Sequence, residues 1–225
     1  MSLTTGRGPL SAKPAGRFTP PIPDHVVYVE PFLRRVRAIH DGRTVVDTEQ
    51  TVLVHRPGHP PIYAFPLDAV HGISAEAVPE APGHVHVLWD AVDAWYEEDE
   101  QVFGHPRNPY HRIDCVRTRR RLRVEVGGVV LVDSDETVGM YETALATQLY
   151  VARDQVRTDL LVPSTTAPYC PYKGTASYWS AVVDGVLFDD VAWSYDDPLP
   201  ECLPVRGLLS FDAARATVIQ DVPMA

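Results

Sequence analysis

The sequence predicts an all-β protein built from two repeated small antiparallel modules, with few short helices. Three observations point there. Laying Arg37 on Arg123, an offset of 86, gives a register that holds without a gap for more than thirty residues, with Gly42 on Gly128, Val46 on Val132, Asp47 on Asp133, Thr51 on Thr137 and Val70 on Val156. Within each copy, apolar and polar residues alternate with the period of a half-buried strand and stop at Gly-containing dipeptides. The 21 prolines reinforce the reading, because proline is excluded from helix interiors and from central strands.

The elements follow in order. The Pro-, Gly- and Ser-rich stretch before Asp24 has no apolar h-region, so it reads as a loosely draped arm over residues 1–30 rather than a secretory signal. The first module spans 31–102. It opens with Val36–Ile39, the turn Asp41-Gly42 and the return strand Thr44–Val46, since Asp-Gly accepts the positive φ of a tight hairpin. Strands are expected at Thr51–His55, Ile62–Phe65 and Val85–Leu88. Ala91–Glu100 reads as a short helix, capped by Asp90 with Val92, Trp95 and Tyr96 on one face. The acidic run Glu97–Glu100 is then its solvated end. Residues 103–120 read as an extended connector, because Pro106 and Pro109 each bias the preceding residue away from helix.

The second module, 121–225, repeats the hairpin as Leu122–Val126, Gly127-Gly128 and Val129–Val132, with later strands at Gln148–Val151 and Leu208–Phe211. Ala213–Ala216 reads as a one-turn relic of the helix. A further match, Trp89-Asp90-Ala91 on Phe211-Asp212-Ala213, runs at an offset of 122, so 36 residues between Val156 and Phe211 belong to the second copy alone. That insert carries its own hairpin, Ala181–Val183, Asp184-Gly185 and Val186–Phe188.

Composition narrows the function classes. A net charge of −10 argues against a binder of nucleic-acid phosphates. The basic run Arg117–Arg123 reads as an edge guard or linker. No apolar run approaches the roughly 20 residues of a membrane-spanning helix. Three dispersed cysteines make no disulfide framework and suit a reducing cytoplasm. High Pro, Ala, Val and Arg with little Lys is the composition of a high-GC bacterium.

The insert holds Cys170-Pro171-Tyr172-Lys173-Gly174, Tyr178-Trp179, Trp193-Ser194-Tyr195 and Pro198-Leu199-Pro200-Glu201. With Arg157–Leu161, Val205-Arg206-Gly207 and, in the first half, Trp95–Glu100 and His105–Tyr110, these runs closely resemble the bacterial and fungal family called domain of unknown function 427. The resemblance covers residues 36–222 and marks the chain as a tandem member whose first module lacks the Cys-Pro-Tyr-Lys-Gly segment. It implies small β-folds akin to the two-sheet tent class. The nucleotidyltransferase label sometimes given to the family finds no phosphate loop, Walker pattern or paired carboxylates here.

The candidate site residues therefore lie in the insert. Lys173 could anchor a phosphate or carboxylate, and Cys170 beside it could be a nucleophile or a small buried hydrophobe. Tyr172, Tyr178, Trp179, Trp193 and Tyr195 could wall a pocket or simply fill a core. Tyr178 and Trp179 must point to opposite faces if extended, so one strand offers at most one of them. Glu201 is the expected acceptor or general base, and Glu201 or Asp159 the protein partner of Lys173. Tyr110 or His105 of the first module are candidate caps.

Metal ligation is not expected. His84 and His86 share a strand face, but Cys115 and Cys202 have no partner nearby in sequence. No cofactor is implied. The reading is a small-molecule-binding β module, with catalysis by Lys173, Cys170 and Glu201 as its extension. The alternatives are an enzyme acting on a nucleotide, phosphorylated or acyl substrate, and a purely structural interaction module.

Overall fold

A computed structural model describes residues 6–23 and 25–221. The expected arm, 1–30, falls partly outside them, at residues 1–5 and 24. Residues 6–23 contain turns and bends without a strand, but residues 28–30 already belong to the first strand, so the arm is shorter than expected. The chain divides into two compact units, residues 1–111 and 112–225.

In the first unit the strands are β1 (Tyr28–Pro31), β2 (Val36–His40), β3 (Arg43–Thr48), β4 (Val52–His55), β5 (Ile62–Pro66), β6 (Glu76–Ala77), β7 (His84–His86), β8 (Ala94–Glu97) and β9 (Glu100–Val102). They form two antiparallel sheets, ordered β1-β4-β5-β7-β6 and β3-β2-β8-β9. The second unit contains β10 (Ile113–Thr118), β11 (Leu122–Val126), β12 (Val129–Ser134), β13 (Thr137–Glu142), β14 (Gln148–Val151), β15 (Leu161–Pro163), β16 (Tyr169–Cys170), β17 (Gly174–Thr175), β18 (Ser177–Val183), β19 (Val186–Ser194), β20 (Leu209–Phe211) and β21 (Thr217–Gln220). Its main sheets are ordered β10-β13-β14-β20-β19-β18-β15 and β12-β11-β21.

The repeat is visible in small details. The β2–β3 hairpin breaks register between Ala38 and Ile39, and β11–β12 breaks it between Val124 and Glu125, the same place at the offset of 86. The isolated bridges Val46–Val70 and Val132–Val156 keep the same spacing. Arg35 grips Asp47 through two bonds of 2.6 Å, and Arg121 grips Asp133 through two of 2.7 Å. Both turns use left-handed backbone, at Asp41-Gly42 and Gly127-Gly128, and the insert hairpin does so again at Asp184-Gly185. The insert extends the second unit's larger sheet by β19, β18 and β15.

Three expectations need correction. Residues 91–100 form no helix: Trp89–Ala91 is a single 3-10 turn, and Ala94–Glu97 is strand β8, paired to β2 with Trp95 opposite Ala38. Trp95 and Glu97 are buried alternately with Ala94 and Tyr96. The partner-seeking edge of β2 outweighs a spacing of Val92, Trp95 and Tyr96 that fits either period. Ala213–Ala216 is one turn, closed by Ala216 N–H donating to Asp212 C=O at 2.9 Å, and is a relic of no helix. The connector is also shorter than 103–120, because residues 113–118 are strand β10 and the unit boundary falls after His111.

Each unit has two apolar clusters, one on each face of its larger sheet. Between the sheets of the first unit lie Val36, Ala38, Val46, Leu53, Tyr63, Phe65 and Trp95, and the second unit places Leu122, Val124, Val132, Leu149, Val151 and Phe211 there. On the opposite face the units diverge. The first packs Val54 and Ala64 under Val78 and Ala81. The second packs Met140 and Tyr150, the residues 86 positions on, under Ala176, Tyr195, Cys202 and Val205.

Candidate functional site

Cys170–Gly174 is a tight hairpin. Lys173 N–H donates to Cys170 C=O at 3.2 Å, and Cys170 pairs with Gly174 across the β16–β17 ladder. Gly174 has φ +90°, and a Cβ there would sit 3.3 Å from the Asp197 carbonyl, so the position demands glycine twice over. Leu199 N–H donates to Lys173 C=O at 3.1 Å. That bond ties the Pro198–Glu201 segment to the hairpin and fixes where the Lys173 side chain starts.

Its ammonium meets the Glu142 carboxylate at 2.5 Å, with only 13% and 6% of the two side chains exposed. The pair forms one wall of a pocket of about 300 Å³ that is also lined by Met140, Gln148, Tyr150, Tyr178, Trp193 and Tyr195. Tyr178 and Trp193 are cross-strand partners on β18 and β19, their ring centroids 6.2 Å apart. Trp193 N–H donates to the Tyr150 hydroxyl at 3.0 Å and meets that ring edge-on. Burial pushes the Tyr150 and Tyr195 phenols up, so both stay protonated.

Of the candidates read from sequence, Lys173, Tyr178, Trp193 and Tyr195 come together around this pocket. Trp179 lies on the other face of β18, as alternation requires: it packs against the inter-sheet core, donates to Ser194 Oγ at 3.2 Å and lies under the Arg153 guanidinium at 4.5 Å. Tyr172 packs with the cluster behind the pocket without lining it, and Cys170 is half-buried outside the lining. Glu201 is exposed on the 3-10 turn Pro200–Val205, also outside it. Neither Glu201 nor Asp159 pairs with Lys173; Asp159 is held by Arg157 at 2.7 Å and 2.9 Å. Tyr110 and His105 are engaged within the first unit. The Tyr110 hydroxyl donates to Glu30 at 2.5 Å, and His105 Nδ1 donates to the Pro106 carbonyl at 2.8 Å.

Sequence reasoning missed Glu142, Gln148, Tyr150 and Met140, which come from the scaffold that the two copies share. One signal was present. At the offset of 86, Glu142 stands on Arg56, a reversal of charge within a matching register. Arg56 has its own acid: it binds Glu80 through bonds of 2.8 and 2.9 Å and, with a backbone bond, depresses that carboxyl to about 2. Arg56→Met should raise the Glu80 midpoint, followed by NMR, toward the ordinary value of about 4.3, with the backbone bond still holding it below. Because the folded-state pKa is depressed, the pair's contribution to stability is present above that ordinary range and fades as pH falls toward about 2. A Glu80 midpoint unmoved by the substitution would show that Arg56 is not the cause.

Cys115 and Cys202, distant in sequence, pack into the same apolar cluster behind the pocket, which corrects the expectation that they lack a neighbour. The neighbouring Cys115 thiol and burial push the fully enclosed Cys202 thiol up. For metals, His84 and His86 each direct a ring nitrogen to a backbone carbonyl. The single group of close ligand atoms among the described residues is His40, Asp41 and Asp93, within 4.8 Å of one another, with both carboxylates exposed.

Against this geometry, the family model described as a domain of unknown function (DUF427) matches residues 28–81 and 114–222. The chain belongs to that family. The two matched segments fall one in each unit, so this is a tandem DUF427 protein. The insert lies wholly inside the second segment. No curated protein matches the chain. No helix among the described residues is long and apolar enough to cross a membrane.

Proposed function

We propose that the second unit of this DUF427 protein is a small-molecule-binding module. Its ligand lies against Tyr178 and Trp193 and accepts hydrogen bonds from Lys173 and Tyr195. One observation carries the reading: a nearly buried ammonium in an aromatic pocket spends a single hydrogen bond on protein. An ammonium has three donors. Glu142 takes one, and the ammonium makes no other hydrogen bond to a described residue. The Tyr178 and Tyr195 hydroxyls and the Gln148 amide likewise line the pocket without a hydrogen-bond partner among the described residues.

Such a wall suits a flat ligand rich in acceptors, neutral or singly anionic, because the one carboxylate is already matched by the one ammonium. The placement of Cys170 outside the lining favours binding over nucleophilic catalysis. A reducing, cytoplasmic setting is supported by three free thiols.

The test is a thermal-shift panel of metabolites on the whole chain. A ligand at 100 times its dissociation constant should add about 2.7 kcal/mol. Tyr178→Leu keeps apolar contact with Trp193 and should keep the unliganded melting temperature nearly unchanged while losing most of the shift. A panel without a hit, or a hit undiminished by Tyr178→Leu, would count against the proposal.

A further inference from the structure

The first unit carries a second cavity, between its sheets, where the second unit's own equivalent positions are filled. It measures about 380 Å³ and is walled by Tyr63, Trp89, Trp95, Pro61 and Pro106, with Arg56, His59, His86 and His105 as its polar lining. The equivalent positions in the second unit are aliphatic or core-filling. Leu149 stands 86 residues beyond Tyr63 and is buried in the inter-sheet core. Phe211 matches Trp89 and is buried there too. Val218 opposes Val124 as Trp95 opposes Ala38. The two copies have therefore specialised opposite faces of one scaffold. The second hollowed the outer face of its larger sheet; the first hollowed the mouth between its sheets.

The rings of this cavity are pre-arranged. Trp89 stacks on Trp95 at 5.3 Å and 20°, Tyr63 meets Trp95 at 5.6 Å, and Trp95 N–H donates to the Trp89 carbonyl at 3.0 Å. Trp89 is half-buried. One of its faces is covered by Trp95, and its indole N–H has no hydrogen-bond partner among the described residues.

His86 decides the polarity. Its Nδ1 lies 2.9 Å from the Tyr63 carbonyl, which only accepts, so Nδ1 carries the proton and Nε2 is left as a bare acceptor. Burial lowers the pKa of this imidazole and keeps it neutral. No hydrogen bond to Nε2 exists among the described residues. The lining contains no carboxylate and includes the Arg56 guanidinium, which disfavours a cation, and the three histidines form no convergent metal-ligand group.

We infer that the first unit binds a planar N–H heteroaromatic of two fused rings, its N–H donated to His86 Nε2 and its ring plane against the Tyr63–Trp89–Trp95 wall. Size agrees, since an apolar cavity of roughly 150 Å³ accepts a single benzene ring and this one is more than twice that. The site is independent of the Lys173 pocket and stands if that pocket proves empty.

The experiment titrates the full chain by calorimetry with benzimidazole and indole and with their N-methyl counterparts. The parent compounds should bind, and N-methylation should weaken them at least tenfold. His86→Leu should weaken the parents to the level of the N-methyl compounds while leaving the latter unchanged, a coupling that a merely structural histidine would not produce. Trp89→Leu, at a half-buried position, should weaken all four at least tenfold and reads the site even if His86→Leu fails to fold. Tyr178→Leu, in the other unit, should change nothing. Absence of binding by both parents, equal binding of parent and methylated compound, indifference to Trp89→Leu, or loss in Tyr178→Leu would each overturn the inference.

Discussion

Replacing Lys173 with Met should destabilise the second unit by about 3–5 kcal/mol, because it strands the Glu142 carboxylate, only 6% exposed, without its cation. Met preserves most of the apolar stem of lysine, so the loss reports the charge rather than a cavity. The companion Glu142→Leu in the same chain should restore much of the stability, since a buried pair replaced on both sides by apolar groups is often neutral or better. Urea unfolding of the single and double variants reads this directly. A single variant that unfolds within about 1 kcal/mol of wild type would mean that water reaches Glu142 and that the pair is not a structural strut. The same double variant separates the roles of the lysine: a folded chain that no longer binds its ligand assigns the ammonium to recognition.

A comparable loss, about 3 kcal/mol, is expected for Glu97→Ala in the first unit. Glu97 is 4% exposed. Its carboxylate accepts the Tyr63 hydroxyl at 2.5 Å and Arg34 Nη1 at 2.5 Å. Tyr63 is itself 2% exposed, so removal of its acceptor leaves a buried donor with nothing to bond. Burial, then Glu97, already pushes the Tyr63 phenol up, so it cannot escape the penalty by ionising. Arg34 is half exposed and is rescued by water. Glu97→Gln retains an acceptor for Tyr63 and should cost less than half as much by equilibrium unfolding. Equal losses for Ala and Gln would place the energy in the ion pair with Arg34 instead.

Glu97 also shows where sequence reasoning stopped. Within Glu97–Glu100, three residues are exposed, as a solvated acidic run should be, and the first is a buried hydrogen-bond hub. Nothing local distinguishes it. Its role comes from Tyr63 and Arg34, brought in from 34 and 63 residues away. The hairpins were legible because alternation and left-handed turn residues are local signals, and the offset of 86 carried even the bulges from one copy to the other. The helix expected at 91–100 failed because an edge of β2 was waiting at Ala38, a fact that belongs to the sheet.

The site divides the same way. Lys173, Tyr178, Trp193 and Tyr195 stood out as a dense cluster in an insert, and strand parity alone separated Tyr178 from Trp179. Tyr150 and Met140 did not stand out, because on a strand they read as one more buried face. Only comparison with Ala64 and Val54 in the other copy shows that this face has been enlarged. The first unit's cavity had no insert to advertise it, and the sequence pointed to that module only for candidate caps, Tyr110 and His105.

The pairing of β11 bears on how the chain is made. Leu122 lies opposite Gln220, and Val124 opposite Val218, so the middle strand of the smaller sheet gains its second neighbour from the last described strand. The first unit repeats the arrangement over a shorter span, with Val36 opposite Glu97. Contacts this distant form late, since the intervening loop must be closed before they contribute. A nascent chain emerging from the ribosome can therefore finish its first unit while the second is still being synthesised. The second must then hold one flank of β11 open until Thr217–Gln220 has been translated, and during that interval the unpaired edge is the segment most in need of a chaperone.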